Sequence, residues 1–149
     1  MQRALVVVDD TDVHRTMLRE AGELAAGSGA ELVLLLLEGA DEVHESREQF
    51  AETEGVTYSD QEVLNAGKTF VSDLADDVLA DVDVAYEATT AMVEKGARAT
   101  RIIDVASEFD CDHVFIVGEK RSPTGKAIFG DMAQAVILNF DGPVTIRTA

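Results

Sequence analysis

The stretch ALVVVDDTD, residues 4–12, decides the fold, because an uninterrupted apolar run stops abruptly at two aspartates. Such a run is typical of a β-strand that is covered on both faces, as in a parallel sheet. The segment that follows has the signals of a helix, since Asp10 or Thr11 can cap its first turn and Gly27-Ser28-Gly29 closes it. One apolar face is predicted for this helix: Met17, Leu18, Ala21, Leu24 and Ala25.

Strand and helix patterns alternate along the rest of the chain. Four further strands are predicted, at Leu32–Leu37, Val82–Val93, His113–Val117 and Pro143–Ile146. Helices are predicted near residues 59–80 with a short one before it, after Gly96, and over the apolar positions Ile128, Met132, Ala133, Val136 and Ile137. This alternation predicts one α/β domain over residues 1–149, with a five-stranded parallel sheet and helices on both faces. The strand orders 3-2-1-4-5 and 2-1-3-4-5 both remain open, and both place strand 1 beside a ligand-binding crevice.

The composition is strongly acidic but retains a core. The 149 residues include 12 Lys+Arg and 29 Asp+Glu, for a net charge of −17, and 46% are hydrophobic. The hydrophobic content argues against a disordered acidic tail. The charge argues against nucleic acid and anionic membranes as partners. Because high salt screens such self-repulsion, we hypothesise a halophilic source.

Cysteine and histidine usage gives no sign of a disulfide, a zinc site or a catalytic triad. The single Cys111 suits a reducing compartment, and no apolar run approaches the roughly 18 residues of a membrane span, so we expect a soluble cytoplasmic protein. Acids just after strand 1, such as Asp10 and Asp12, are better explained as helix-capping residues than as metal ligands. We expect no catalytic residues and predict that the protein is not an enzyme.

The loop GEKRSPTGKAIFG, residues 118–130, is the richest candidate for binding chemistry. Three of the 12 basic residues fall within seven of its positions: Lys120, Arg121 and Lys126. Its glycines allow close backbone approach, and the next helix begins with oriented N–H groups, so a phosphate contact is predicted. The alternative is that the bases only balance the acidic surface. The loop is not a Walker motif, because six residues separate Gly118 from Gly125 and Ala127 follows Lys126.

In their order, these segments resemble the UspA-like proteins of the universal stress protein family. VVVDDTD resembles the end of the family's first strand, GAELVLLLLE its second strand, and FGDMAQAVILNFDGPVTI its C-terminal segment. The likeness spans nearly the whole chain and is weakest over residues 39–82. It implies a Rossmann-like fold of the adenine nucleotide alpha hydrolase type, with strand order 3-2-1-4-5. It also implies a stress-response role, a homodimer through the C-terminal strand at 143–147, and binding of ATP or another adenine nucleotide, with Mg²⁺ as a candidate companion ion.

The resemblance also assigns a set of binding residues. ATP-binding members carry the motif G-x2-G-x9-G-(S/T), in which Gly118 matches the first glycine and Gly130 the last. The middle glycine falls near Lys120 or Arg121, and Asp131 replaces the Ser/Thr. A carboxylate there repels phosphate where a hydroxyl would donate to it, and the loop's basic residues could compensate. The predicted nucleotide contacts are Val8, Asp9, Leu37, Val117, Gly118, Lys120, Arg121, Gly125, Lys126, Gly130 and Asp131.

Two other functions fit the same residues. The chain could be a dimeric adaptor of this fold that does not bind nucleotide, a reading that Asp131 favours. The pair Asp9-Asp10 is also similar to the acidic pair of a receiver domain. That reading lacks a phosphoacceptor, because the second strand ends in Leu36, Leu37 and Glu38.

Overall fold

A parallel five-stranded sheet forms the centre of the protein, as seen in a computed structural model that describes residues 1–121 and 128–149. The order β3-β2-β1-β4-β7 confirms the predicted 3-2-1-4-5 arrangement of the five sheet strands. All four pairings in this sheet are parallel, with β1 lying between β2 and β4. The strands are β1 Arg3–Val7, β2 Glu31–Gly39, β3 Tyr86–Val93, β4 His113–Gly118 and β7 Val144–Thr148. A separate antiparallel ribbon pairs β5 Lys120–Arg121 with β6 Ile128–Phe129.

The sheet is covered by helices on both faces. The helices are α1 Asp12–Ser28, α2 Ala40–Glu54, α3 Asp60–Val78, α4 Arg98–Glu108 and α5 Asp131–Asn139. Side chains of α1 and α3 share one buried cluster, and side chains of α4 and α5 share the other. Successive residues of β1 alternate between the clusters: Ala4 and Val6 enter the first, and Leu5 and Val7 enter the second. This alternation explains why the run is apolar at every position.

Capping residues set several of the helix ends. Thr11 is extended, and its hydroxyl accepts a hydrogen bond from the His14 backbone N–H at 3.1 Å, which begins α1. Gly29 closes α1 at φ 72°, and Gly55 closes α2 at φ 66°, a left-handed conformation that glycine adopts without strain. Ser59 and Glu62 form a capping box that begins α3.

The structure corrects four details of the sequence prediction. Leu24 is 56% exposed and lies outside the buried face of α1. The helix before residue 59 is not short, because α2 has 15 residues, although it buries only Val43. Strand β3 begins at Tyr86 and not at Val82, because Val82 and Val84 donate to nearby turn carbonyls instead of a neighbouring strand. Ile128 belongs to β6, so α5 begins only at Asp131.

Within the described residues, no helix is both long and apolar enough to span a bilayer.

Candidate functional site

Two adjoining cavities lie at the carboxyl edge of the sheet, where β1, β2 and β4 end. We call the first the glycine-side cavity. It has a volume of about 410 Å³, and its lining includes Asp9, His14, Val117, Gly118, Gly130 and Asp131. We call the second the strand-2 cavity. It has a volume of about 370 Å³, and its lining includes Asp9, Leu37, Glu38, Val43 and Val63. Asp9 and Arg98 line both, so the two cavities form one cleft. This is the edge at which open α/β sheets bind ligands.

The two glycines of the glycine-side cavity are there for different reasons. A Cβ on Gly118 would lie 2.7 Å from Ile146 Cγ2 and 3.4 Å from Phe129 Cδ1, so internal packing alone requires glycine. A Cβ on Gly130 would meet no atom within 4 Å, and its φ of −60° suits any residue. The rest of the described protein therefore does not explain why residue 130 is glycine. Gly130 leaves its backbone open to close approach from the cleft.

Helix α5 begins at this opening. Gly130 is its N-cap residue and provides no side-chain hydrogen bond to the first turn. The initial N–H groups of a helix lack intrahelical partners and carry partial positive charge, which favours an anion. Asp131, the first residue of α5, is exposed and brings a carboxylate to the same position. A bound phosphate would therefore gain the helix N-terminus and meet repulsion from Asp131.

Glu38, which lines the strand-2 cavity, has an unpaired carboxylate oxygen. Glu38 Oε2 is buried and has no hydrogen-bond partner in the described structure. Burial raises the pKa of the Glu38 carboxyl above its ordinary value. The other oxygen, Oε1, lies 2.8 Å from where a Cβ on Gly67 would be, so the glycine in α3 makes room for this side chain. Sequence reasoning did not assign Glu38 to the site.

A histidine on α1 faces the glycine-side cavity. His14 Nδ1 lies 2.6 Å from Thr11 Oγ1, which fixes the ring at the first turn of α1. The pKa of His14 is lowered chiefly by burial and also by the Arg98 guanidinium, while the Asp9 carboxylate opposes this effect. The imidazole is therefore neutral at pH 7 and adds no positive charge to the cavity.

The match that shows the family extends over almost the whole sequence. The chain matches the universal stress protein family over residues 1–147. It belongs to this family. None of the curated proteins matches it.

Solved structures of other universal stress proteins share the fold along almost the entire chain. A universal stress protein from Archaeoglobus fulgidus is 25% identical with a TM-score of 0.68, and the match covers 98% of both chains. The universal stress protein from Archaeoglobus fulgidus in complex with dAMP is 20% identical with a TM-score of 0.63, covering 98% of this chain and 97% of that one. A universal stress protein in complex with cAMP is 17% identical with a TM-score of 0.59, covering 99% and 96%.

The cleft of this universal stress protein brings together about half of the predicted contact residues. Six of them line its two cavities: Asp9, Leu37, Val117, Gly118, Gly130 and Asp131. Val8 is buried at 2% exposure and its side chain joins the core, while its N–H donates to the Leu35 carbonyl at 2.9 Å. Lys120 and Arg121 pair through their backbones with Phe129 and Ile128. Gly125 and Lys126 lie outside the described residues.

Residues missed by sequence reasoning complete the lining. Arg98, the first residue of α4, borders both cavities, and His14 and Glu38 border one each. The available signal for Arg98 was its place directly after β3, since every loop that follows a strand of a parallel sheet opens at the same edge. Outside residues 122–127, no group of three or more His, Cys, Asp and Glu side chains is arranged to hold a metal ion.

Proposed function

We propose that this universal stress protein binds an adenine nucleotide in the cleft formed by the glycine-side and strand-2 cavities. The observation that carries the proposal is that Gly130, whose backbone is open, lies in the same cleft as Asp9 and Leu37. These residues come from three separate segments, and the resemblance assigned all of them to nucleotide contact. The dAMP and cAMP complexes of two structural relatives support the same class of ligand.

The two cavities suit different parts of a nucleotide. The strand-2 cavity has apolar walls at Leu37, Val43 and Val63, against which a base can pack. The glycine-side cavity offers the N-terminus of α5 and the Gly130 backbone, which suit phosphate. Asp9 lies between them, and its carboxylate can accept from a ribose hydroxyl. The Asp131 carboxylate repels phosphate in the glycine-side cavity, so we expect modest affinity or an altered preference among nucleotides that differ in their number of phosphates. Mg²⁺ would enter with the phosphates of ATP.

Calorimetry with adenosine, AMP, ADP and ATP tests this proposal, at several salt concentrations because salt screens both the acidic surface and the phosphate contact. ATP titrations with and without Mg²⁺ test the companion ion. We expect saturable heat with at least one adenine compound and a matching rise in Tm. The absence of binding by all four compounds would overturn the proposal in favour of the ligand-free adaptor. A nucleotide that co-purifies with the protein would be direct support.

The role that we propose is binding in stress response and not catalysis. Incubation with ATP should release phosphate no faster than the buffer control does. His14 is the side chain of the glycine-side cavity that could act as a base. Phosphate release that is faster than in the buffer control and is lost in His14→Ala would therefore contradict the proposal that the protein is not a catalyst. Cytoplasmic localisation and a halophilic source belong to the same proposal, supported by the lone Cys111 and by the net charge of −17.

We also propose a homodimer through β7, the C-terminal strand predicted at residues 143–147. Strand β7 is an edge of the sheet, with Val144 and Ile146 only partly buried. On the adjacent helix α5, Leu138 is 79% exposed. A second copy would cover both the open strand edge and this apolar surface. Light scattering should give twice the chain mass, and Leu138→Glu should weaken association. A monomer at every salt concentration would contradict the proposal.

A further inference from the structure

Arg98 differs from every other arginine whose side chain the structure describes. The others each have a carboxylate oxygen within 4.0 Å: Arg3, Arg15, Arg19, Arg47, Arg101 and Arg147. The Arg98 guanidinium forms no ion pair and no side-chain hydrogen bond with any residue that the structure describes. Arg98 is exposed to solvent, and in a chain with 29 acidic residues and 12 basic ones it is the exception among these arginines.

The position of Arg98 shows what it can reach. It lines the glycine-side cavity together with Gly130 and Asp131, and it lines the strand-2 cavity together with Leu37 and Val43. It therefore lies where the two cavities meet. A ligand that extends from one cavity into the other must pass this side chain.

The electrostatics of the cleft make Arg98 its main cationic group within the described part of the chain. Asp9, Glu119 and Asp131 bring carboxylates to the glycine-side cavity. Burial chiefly, and the Arg98 guanidinium to a smaller extent, lower the pKa of His14, so its imidazole is mostly neutral at pH 7. An anion that enters this cavity therefore needs the guanidinium to offset the surrounding carboxylates.

We propose that Arg98 contacts the phosphate nearest the ribose of the bound nucleotide and sets the preference of the site for nucleotides over nucleosides. This inference rests on the proposed function, and it assigns one residue of the cleft to contact with a phosphate. With the base in the strand-2 cavity and later phosphates beside Gly130, the first phosphate lies at the junction that Arg98 borders. The guanidinium supplies the donors that the family's hydroxyl would provide at position 131, since Asp131 cannot donate when ionised.

The consequence is a difference between ligands that share a base. AMP, ADP and ATP all carry the first phosphate, whereas adenosine carries none. Loss of Arg98 should therefore weaken all three nucleotides by a similar factor and leave adenosine unchanged. A general loss of cleft structure would instead weaken all four compounds.

The experiment is calorimetry of AMP and adenosine with the wild type, Arg98→Gln, and Arg101→Gln as the matched control. Arg101 belongs to the same helix and pairs with Glu108 at 3.4 Å, so its replacement removes the same charge without changing the cavity lining. We expect Arg98→Gln to weaken AMP about tenfold, as for a lost charge-assisted hydrogen bond, with adenosine affinity unchanged. Arg101→Gln should bind both as the wild type does.

The possible failures are distinguishable. If the wild type binds none of adenosine, AMP, ADP and ATP, the proposed function fails and the assignment of Arg98 fails with it. If it binds ADP or ATP but not AMP, only the assignment of Arg98 to the first phosphate is overturned. If the wild type binds AMP and Arg98→Gln keeps the same ratio of AMP to adenosine affinity, the assignment of Arg98 alone is overturned. An equal loss in Arg101→Gln would also overturn it, because the effect would then come from net charge. Arg98→Lys should recover part of the AMP affinity, since it keeps the charge but loses the planar set of donors.

Discussion

Gly118 at the end of β4 and Ile146 in β7 are so closely packed that a Cβ on the glycine would lie 2.7 Å from Ile146 Cγ2. The two strands are adjacent in the sheet, so neither backbone can move away independently. We therefore expect Gly118→Ala to destabilise the fold by about 1–3 kcal/mol, as overpacking typically does. Urea denaturation checks this. In the Ile146→Leu background, whose side chain lacks the γ2 methyl group, Gly118→Ala should cost less than it does in the wild type, and an equal cost would contradict a steric origin.

Gly130→Ala should weaken nucleotide binding without destabilising the fold, unlike Gly118→Ala. No atom lies within 4 Å of the added Cβ, and the backbone conformation already suits alanine, so the free energy of unfolding should stay constant or rise by about 0.5 kcal/mol. The affinity for ATP should fall about tenfold, because the methyl group occupies the space in which the later phosphates approach the backbone. Calorimetry and denaturation of the same preparation measure both quantities. Unchanged ATP affinity would show that the ligand does not approach Gly130.

The succession of strands and helices and the core were predictable because their signals are local, whereas the strand order 3-2-1-4-5 came from the family resemblance. Each buried strand is a short apolar run, and the turns between elements contain residues that end helices, such as Gly29 and Gly55. The start of β3 was not predictable in the same way. Val82 and Val84 have the composition of a strand and pack against the core, but turn hydrogen bonds hold their backbone. Composition does not distinguish these two ways of burying a valine.

The candidate site was only partly predictable because it depends on contacts between distant segments. Asp9 and Gly130 could be assigned from motifs that a short segment contains. Predicting that Glu38 belongs to the site would have required the packing of α3 against β2. The space for the Glu38 side chain exists because residue 67, nearly thirty residues later in the chain, is glycine. Arg98 needed the strand order, because a residue after β3 borders the ends of β1 and β4 only in the folded sheet. A sequence pattern contains neither relationship.

Asp131→Ser should strengthen nucleotide binding. The change removes a carboxylate that repels the later phosphates and adds a hydroxyl that donates to them, so ATP affinity should rise about tenfold at low salt and less at high salt. The matched control is Asp141→Ser, an exposed acid that precedes β7 at the opposite edge of the sheet and removes the same charge. Calorimetry across salt concentrations compares the two variants. An equal gain in both would show that only net charge matters.

Glu38→Gln should stabilise the protein at neutral pH. A carboxyl whose pKa is raised by folding destabilises the folded state when it is ionised, so the cost is absent well below the ordinary pKa of 4.5 and grows as the pH rises above it. We expect the variant to gain about 1 kcal/mol at pH 7, because a neutral amide replaces a carboxylate with an unpaired buried oxygen. The gain should vanish near pH 4. Glu42→Gln, an exposed acid of the same cavity, should show no such gain in denaturation from pH 4 to 8.

Salt should act most strongly on α2. This helix carries six acidic residues against Arg47, and it buries only Val43. Its other attachments are the ion pair of Arg47 with Asp60 and the edge-on contact of Phe50 with Tyr58, whose ring centroids are 5.6 Å apart. Repulsion among the acids opposes these few contacts, and salt screens it.

Amide hydrogen exchange at low and at molar KCl measures this effect directly. Protection of α2 should increase with salt, because local opening becomes less favourable when the repulsion is screened. Helix α4 is the internal control, since Arg98 and Arg101 balance Asp104 and Glu108 and its protection should change little. The Tm of the whole protein should rise over the same range. If protection of α2 and α4 rises equally, salt acts on the whole fold and not on the acidic helix.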